Sequence, residues 1–282
     1  MTRRALLAAL TAAAARGAGR YPFRFAVCNE TFAGASFATQ CALARKTGYT
    51  GIELTPAALG PDPRRVMADA GLAFVGLHNL LSAPAGLHAT TAQMDTYRRT
   101  WDHVRRLIDL CATLGGGVMV FGSGKQRHAE PGMSAADAVA RLRDGLAGVA
   151  PHAERAGVTI LLEPLAPHLS NIVHTLGEAV GIARQIGSRA VQSIFDVHNT
   201  AAETAPAAEL VAAWRPYIRH VHLNEMDGRR PGLGHYDFRA LLGALAANRY
   251  AGWLSLEVFD FQPSGEEVAA AALGYLERMA AK

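Results

Sequence analysis

Three carboxylates and one imidazole stand at the ends of consecutive strand-like runs in the second half of the chain. They are Glu163, Asp196, His222 and Glu257. Each follows or ends a short apolar run typical of a buried parallel strand, and the intervals of 33, 26 and 35 residues each hold one strand and one helix. Carboxylate and imidazole ligands suit a hard or borderline divalent cation. The pattern therefore predicts a metal site built from four successive strands.

Strand-like runs alternate with amphipathic helical stretches from Tyr21 onward. We predict eight strands, at 23–28, 51–55, 73–79, 116–122, 158–163, 190–196, 218–223 and 252–258. We predict helices at 37–47, 61–70, 91–114, 135–156, 175–186, 206–217, 237–248 and 265–280. This α/β alternation predicts a closed (β/α)8 TIM barrel. A doubly wound open sheet is the alternative, but no G-x-G-x-x-G follows the first strand.

The C-terminal strand ends of such a barrel face its active site. Neighbouring strands lie about 4.8 Å apart, so inward side chains from four neighbours can converge on one ion. No linker or low-complexity segment divides residues 21–282, which we interpret as a single barrel domain. The run Gly115-Gly116-Gly117 is typical of a helix end and a tight turn rather than a phosphate loop.

The net charge of +4 is local. Residues 1–20 contain four arginines and no acid, which leaves residues 21–282 neutral and argues against a nucleic-acid surface. The three cysteines form no C-x-x-C pair and predict neither a disulfide framework nor a zinc knuckle.

Residues 1–20 resemble a twin-arginine signal peptide. Arg3 and Arg4 precede an Ala/Leu run too short to span a bilayer, and no other segment approaches that length. We therefore expect a periplasmic protein with no membrane segment in its mature form. A helical extension on a cytoplasmic enzyme is the alternative.

Several residues near other strand ends are weaker candidates. His78 is predicted to bind a substrate hydroxyl, and Ser123 and Arg127 are predicted to bind a hydroxyl or a phosphate. Glu53 is predicted to orient a metal ligand from behind. His220 lies two residues before His222 and is expected to be a hydrogen-bonded core histidine.

The chain resembles the xylose isomerase-like TIM barrel superfamily of sugar isomerases and epimerases, and within it the ketose 3-epimerase and hydroxypyruvate isomerase branch. The resemblance rests on H-V-H-L-N-E at 220–225, R-P-G-L-G-H-Y-D-F at 230–238 and Y-A-G-W-L-S-L-E-V-F at 250–259. The shorter runs G-I-E-L at 51–54, G-L-H-N at 76–79, F-G-S-G-K-Q-R at 121–127 and L-L-E-P-L at 161–165 also match.

The resemblance implies that Glu163, Asp196, His222 and Glu257 bind one Mn²⁺, Mg²⁺ or Co²⁺ ion. It implies that Glu163 and Glu257 move a proton next to the ketone of a sugar through a cis-enediolate. Proton return to the same carbon epimerises the sugar, and return to its neighbour isomerises it. The resemblance also implies substrate contacts from Glu225, and homo-oligomers are common in the family.

Three positions depart from the family pattern and lie in its sugar-contact shell. Leu169 stands where the branch has a substrate-binding glutamate. Asn199 stands where a histidine is common, with His198 one step earlier as a supporting residue. Gly228 replaces an arginine, which leaves Arg229 as the candidate for its substrate contact. These changes weaken an assignment to a free-hexose 3-epimerase.

Other functions remain open on the sequence. The same site suits a lyase or dehydratase acting on a keto-sugar, a keto-inositol or a C-glycoside. A non-catalytic sugar-binding barrel and an apurinic-site endonuclease are further alternatives. The endonuclease needs a three-zinc cluster with additional histidines, for which strands two to four offer only Glu53 and His78.

Overall fold

The computed structural model describes residues 22–280, and within them eight strands alternate with eight α-helices. The strands are Arg24–Cys28 (β1), Gly51–Leu54 (β2), Ala73–Leu77 (β3), Gly117–Phe121 (β4), Val158–Leu162 (β5), Val191–Asp196 (β6), Ile218–Leu223 (β7) and Trp253–Leu256 (β8). The helices are Phe37–Lys46 (α1), Pro63–Asp69 (α2), Met94–Leu114 (α3), Ala135–Ala156 (α4), Leu176–Ile186 (α5), Ala207–Trp214 (α6), Phe238–Ala247 (α7) and Gly265–Ala280 (α8).

The strands form a closed barrel in the order β1 to β8, and β8 pairs with β1. All eight pairings are parallel, which confirms the predicted (β/α)8 TIM barrel. Asp196 is the register partner of His222, and Leu223 is the partner of Leu256. Asp196 and His222 therefore occupy one level at the C-terminal end of the barrel, and Glu257 follows two residues beyond Ser255, the register partner of His222 on β8.

The strands are buried because helices cover the barrel on its outer side. Residues such as Ile160 on β5 and Val221 on β7 are fully buried, and so are Leu142 and Leu146 on the inner face of α4. This helix begins after Ser134, whose side chain accepts a hydrogen bond from the Asp137 main-chain nitrogen. Apolar burial on both faces explains why the strand sequences are nearly continuous hydrophobic runs.

The glycine run forms the predicted turn between α3 and β4. Gly115, Gly116 and Gly117 have φ angles of 126°, 76° and 144°, which side chains rarely tolerate. A Cβ at Gly117 would lie 2.4 Å from the carbonyl oxygen of Val75 on β3. The run therefore permits the close approach of two neighbouring strands.

Three helices fall well short of the predicted bounds, and the first of them is α2, which spans Pro63–Asp69 where the sequence predicts 61–70. The sequence predicts that α3 begins near Thr91, but it begins at Met94 because Thr91 Oγ1 and the Ala92 nitrogen both bond to Glu130. The helix predicted to reach Tyr217 ends at Trp214.

The predicted signal peptide, residues 1–20, lies outside the described residues. None of the helices in residues 22–280 combines the length and the hydropathy that a membrane crossing needs.

Candidate metal centre and active site

Four strand ends bring the predicted ligands together. Glu163 directly follows β5, Asp196 ends β6, His222 is the fifth residue of β7, and Glu257 directly follows β8. One ligand atom from each side chain lies within 4.8 Å of the others. The four residues are between 0% and 8% exposed. The arrangement is a buried, mostly anionic cluster at the C-terminal end of the barrel.

The imidazole of His222 stands at the centre of the carboxylates. Its Nδ1 atom lies 3.0 Å from Glu257 Oε2, 3.8 Å from Glu163 Oε1 and 3.9 Å from Asp196 Oδ2. Three oxygens and one nitrogen thus face a common point. A divalent cation of the Mn²⁺ or Mg²⁺ type prefers such a donor set.

The cluster contains buried polar atoms that lack a hydrogen-bond partner in the described structure. They include His222 Nδ1 and Glu163 Oε1. Unpaired buried groups are costly unless an ion or water satisfies them. Gly122, after β4, also leaves room for the Glu163 carboxylate, since a Cβ there would lie 2.1 Å from Glu163 Oε2. These residues therefore fit a bound cation.

Crowding of acidic groups shifts the protonation of the cluster. Burial, followed by the charges of Asp196 and Glu257, raises the pKa of Glu163 well above its usual value. Burial also raises the pKa of Glu257, although His222 opposes the shift. Burial alone lowers the pKa of His222, but Glu257 and Glu53 outweigh it and raise that pKa well above the usual value. Without a cation, the cluster therefore retains protons that a cation displaces on binding.

Glu53 bonds to the ring nitrogen of His222 that points away from the cluster, Nε2. Its Oε1 accepts a hydrogen bond of 3.1 Å from His222 Nε2, and its Oε2 accepts one of 2.8 Å from His220 Nε2. Burial raises the pKa of Glu53, but the two histidines outweigh it and lower that pKa well below the usual value. A carboxylate behind a histidine fixes the ring so that its other nitrogen is free for a metal. This is the position that the sequence prediction gave to Glu53.

Both oxygens of Asp196 are held by its neighbours. The His198 nitrogen donates to Oδ1 at 2.9 Å, and Asn199 Nδ2 donates to Oδ2 at 2.8 Å. Asn199 Oδ1 in turn accepts from the Ala166 nitrogen. The side chain of Asn199 therefore positions the acid, where the sequence predicts a substrate contact. The His198 ring packs between His168 and Phe259, with centroid distances of 5.7 and 5.1 Å.

Arg127 is fully buried beside the ends of β4 and β5. Its guanidinium donates to the carbonyl oxygens of Phe121 and Glu163, at the ends of β4 and β5. Burial lowers the pKa of Arg127 to about 10, although Glu163 opposes the shift. The sequence predicts a substrate contact here, but the side chain instead supports the main chain at Glu163. Ser123, the other candidate in this loop, accepts a hydrogen bond from the Leu81 nitrogen.

The loop between β7 and α7 carries two more candidates, Glu225 and Arg229. Glu225 is 2% exposed, and its oxygens accept from the nitrogens of Gly232 and Tyr236. These bonds fold the loop, so a structural role accounts for this carboxylate. Arg229 is more exposed and pairs with Asp227 through a contact of 2.7 Å. It borders a cavity of 430 Å³ at the edge of the barrel mouth.

His78 contacts two carboxylates and is only 1% exposed. Its Nε2 lies 3.3 Å from Glu30 Oε2, and its Nδ1 lies 3.6 Å from Glu53 Oε1. Glu30 is not among the residues predicted from the sequence. It stands two residues after β1, so the same strand-end rule that identifies the four ligands applies to it.

Comparisons with known proteins agree with this fold. Residues 41–279 match the family model of the xylose isomerase-like TIM barrel. L-ribulose 3-epimerase of Mesorhizobium japonicum is 28% identical over 234 residues, which cover 80% of this chain and 76% of that protein. The 3-dehydro-D-guloside 4-epimerase of Escherichia coli is 30% identical over 105 residues, or 37% of this chain and 40% of that relative.

A solved structure shares the whole architecture. The apo crystal structure of 3-keto-D-glucoside 4-epimerase from E. coli superposes with a TM-score of 0.82 at 19% identity. The match covers 91% of this chain and 100% of that one. The family model spans most of the barrel, and the chain belongs to the xylose isomerase-like TIM barrel family.

Proposed function

We propose that the protein is a metal-dependent sugar epimerase that moves a proton next to a ketone. One observation carries the proposal. Glu163 and Glu257 follow strands on opposite sides of the cluster. One carboxylate oxygen of each lies within 4.8 Å of the other and of ligand atoms of His222 and Asp196. The relatives named above support it, since they are epimerases acting at C3 and at C4 of a sugar.

The residues of the chain suit proton transfer. A divalent cation in the cluster would supply Lewis-acid stabilisation of negative charge on the substrate oxygens. Glu163 and Glu257 are 6% and 8% exposed, so the reacting carbon would be shielded from bulk water. One glutamate removes the proton and the other returns one. Because they approach from β5 and β8, delivery to opposite faces of the same carbon inverts that centre.

The substrate is a small sugar or sugar derivative in this proposal. Leu169, at the position where the ketose 3-epimerase branch has a substrate-binding glutamate, is 39% exposed in the loop after β5. An apolar side chain there removes one polar contact to a free hexose. A substituted keto-sugar therefore fits the altered contacts better than an unmodified ketohexose does.

Solvent exchange measured by NMR tests the reaction. Protein loaded with Mn²⁺ would be incubated in D₂O with a panel of keto-sugars and keto-glycosides, and the products analysed after removal of the ion. We expect deuterium at one carbon of an inverted product. Glu163→Gln and Glu257→Gln should each lower the rate by about 10²–10⁴-fold, whereas Glu209→Gln on the exposed surface of α6 should leave it unchanged. Release of water or an aglycone would instead identify a lyase, and exchange at normal rates in both glutamine variants would refute the proposal.

Export by the twin-arginine route is a separate proposal. Arg3 and Arg4, followed by the Ala/Leu run, support it. Amino-terminal sequencing of protein from cell fractions tests it. We expect a periplasmic protein that begins near residue 21, and an intact Met1 in the cytosol would contradict export.

A further inference from the structure

A second cavity adjoins the metal cluster on the β1 and β2 side of the barrel mouth. Its volume is 480 Å³, within the range of small-molecule sites. The segments after β1, at the start of α1 and after β2 form its walls. Its wall includes Asn29, Glu30, Phe37, Gln40, Ala57 and Leu59.

Glu30 stands between this cavity and the cluster. One of its carboxylate oxygens lies within 4.8 Å of ligand atoms of both His78 and Glu257. The cavity is therefore next to the proposed reaction centre. A substrate that reaches Glu257 extends naturally towards Glu30.

The side-chain hydrogen bonds of Glu30 are made by one of its two carboxylate oxygens, Oε2. Oε2 receives Asn79 Nδ2 at 2.7 Å and Thr55 Oγ1 at 3.2 Å, and it lies 3.3 Å from His78 Nε2. Within residues 22–280, no donor is directed at the other oxygen, Oε1. The side chain is 25% exposed. Glu30 is thus fixed through one oxygen and leaves the other to accept a hydrogen bond from a ligand.

The two amide side chains of the wall, Asn29 and Gln40, already bond within it. Asn29 Nδ2 donates to Gln40 Oε1 at 2.9 Å, and Asn29 Oδ1 accepts from the Thr55 nitrogen at 2.8 Å. Gln40 Nε2 donates to the Ala35 carbonyl oxygen. The cavity wall is therefore preorganised, which reduces the entropic cost of binding.

The chemistry of the wall selects the ligand. No lysine or arginine is among the described residues that line it, so a phosphate or carboxylate group meets no cationic side chain there and lies beside the charge of Glu30. An ionised Glu30 only accepts hydrogen bonds, which suits a hydroxyl donor. Phe37 and Leu59 offer apolar surface for the C–H face of a ring.

We propose that this cavity is a subsite for a second sugar ring, joined through a glycosidic bond to the keto-sugar that reacts at the cluster. A hydroxyl of that ring donates to Glu30 Oε1. Glu30 determines specificity and takes no part in proton transfer. The inference rests on the proposed function, because it places the reacting ring against Glu163 and Glu257.

Two substrates that differ only in the substituent test the subsite. They are the methyl glycoside of a keto-hexose and the same keto-hexose linked to a second hexose. Ala57→Leu fills the cavity from an exposed position in its wall, and Ala38→Leu is the matched control on the outer face of α1. Glu30→Gln keeps the size of the side chain and removes its charge.

We expect Ala57→Leu and Glu30→Gln each to raise KM for the disaccharide about tenfold or more, the effect of losing a hydrogen bond to a charged group or the space for the ring. In Ala57→Leu, KM for the methyl glycoside and kcat for both substrates should stay within about twofold, whereas Glu30→Gln should raise KM for the disaccharide more than KM for the methyl glycoside. Ala38→Leu should change neither substrate. Equal effects on the two substrates, or no effect on either, would overturn the subsite.

A third substrate and a binding measurement separate the remaining explanations. A keto-hexose linked to an amine-bearing group that bound more tightly than the disaccharide would show that Glu30 holds a cation, contrary to the proposal. If the wild-type protein turned over no sugar, the proposed function would fail on its own. Calorimetry with Mn²⁺-loaded protein and an unreactive disaccharide would still test the subsite. Binding lost in Ala57→Leu and kept in Ala38→Leu supports it, and absence of binding to the wild type refutes it.

Discussion

The Nε2 atom of His222 donates to Glu53 across 3.1 Å, while Nδ1 of the same ring faces Glu163, Asp196 and Glu257. The two ring nitrogens therefore face different groups: Nε2 contacts Glu53, and Nδ1 faces the cluster. The buried carboxylate of Glu53 fixes the orientation of the ring, so that Nδ1 faces the point where we propose that the cation binds. This relationship connects β2, on the far side of the barrel, to the cluster at β5 to β8.

Removal of the Glu53 charge should weaken cation binding without removing any ligand. We expect Glu53→Gln to lower the affinity for Mn²⁺ by about 10–100-fold, the usual effect of losing a carboxylate behind a ligating histidine. The stoichiometry of one ion per chain should persist. Equilibrium titration followed by the Mn²⁺ paramagnetic signal measures both quantities, with exposed Glu209→Gln as the control. Unchanged affinity in Glu53→Gln would show that Glu53 does not act on the ligand.

Thermal stability of the metal-free protein should fall as the pH rises. Glu163 and Glu257 have raised pKa values relative to 4.5, chiefly through burial, and carboxylates raise that of His222 above 6.5 against the effect of burial. A raised pKa in the folded state stabilises the fold at low pH, and that stabilisation is lost as the pH passes through the raised value. We therefore expect Tm to decrease from about pH 5 to about pH 8. Glu53, whose pKa is lowered below 4.5, loses its contribution only under more acidic conditions.

Two comparisons identify the source of this pH dependence. Saturating Mn²⁺ prefers the deprotonated ligands, so it should raise Tm more at high pH than at low pH. Glu163→Gln removes one of the titrating groups and should flatten the slope of the metal-free protein. A slope that is unchanged in this variant would place the titration elsewhere in the molecule.

Two glycines on α4 should respond to alanine in opposite directions. A Cβ at Gly145 would lie 1.9 Å from Trp101 Cε2, whereas a Cβ at Gly148 meets nothing within 4 Å. We expect Gly145→Ala to lower the free energy of unfolding by about 1–3 kcal/mol through overpacking. Gly148→Ala should raise it by about 0.5–1 kcal/mol, because alanine favours the helix. Urea unfolding measures both, and a stabilised Gly145→Ala would contradict the packing of Trp101.

Arg127 should matter more to the fold than its loop position suggests. Arg127→Met removes the guanidinium donor from both carbonyl oxygens, and the Phe121 oxygen keeps its bond from the Glu163 nitrogen. We expect the free energy of unfolding to fall by about 2–4 kcal/mol. Arg143→Met, which removes an exposed pair with Asp144, should change it by less than about 1 kcal/mol. Similar values for the two variants would show that the bonds of Arg127 contribute little.

Strand and helix positions are readable from the chain because the barrel repeats one local pattern. The predicted strand at 158–163 and the observed Val158–Leu162 differ by one residue, and 218–223 agrees at both ends. A buried parallel strand is marked by its apolar run, and this run does not depend on distant residues. The amino-acid sequence alone therefore suffices to align the residues at the strand ends along one edge of the barrel.

The direction of individual side chains is not readable in the same way. Arg127 and Glu225 are predicted to contact the substrate, yet both satisfy main-chain groups. Their partners lie far along the sequence or across a loop, and only the closed barrel brings them together. Asn199 illustrates the same limit, since its bond to Asp196 depends on the turn after β6. Glu30 lies in the short 3-10 turn after β1, and this turn decides where its carboxylate points.

The central claim is that Glu163, Asp196, His222 and Glu257 hold one divalent cation, and an anomalous difference map from Mn²⁺-loaded crystals tests it most directly. We predict a single strong peak bonded to His222 Nδ1 and to an oxygen of each of the three carboxylates. Ligand atoms of Glu53, His220 and His222 also lie within 4.8 Å of one another. A peak bonded to Glu53 and His220 instead would contradict the account. So would a map from saturated crystals with no peak at the barrel mouth.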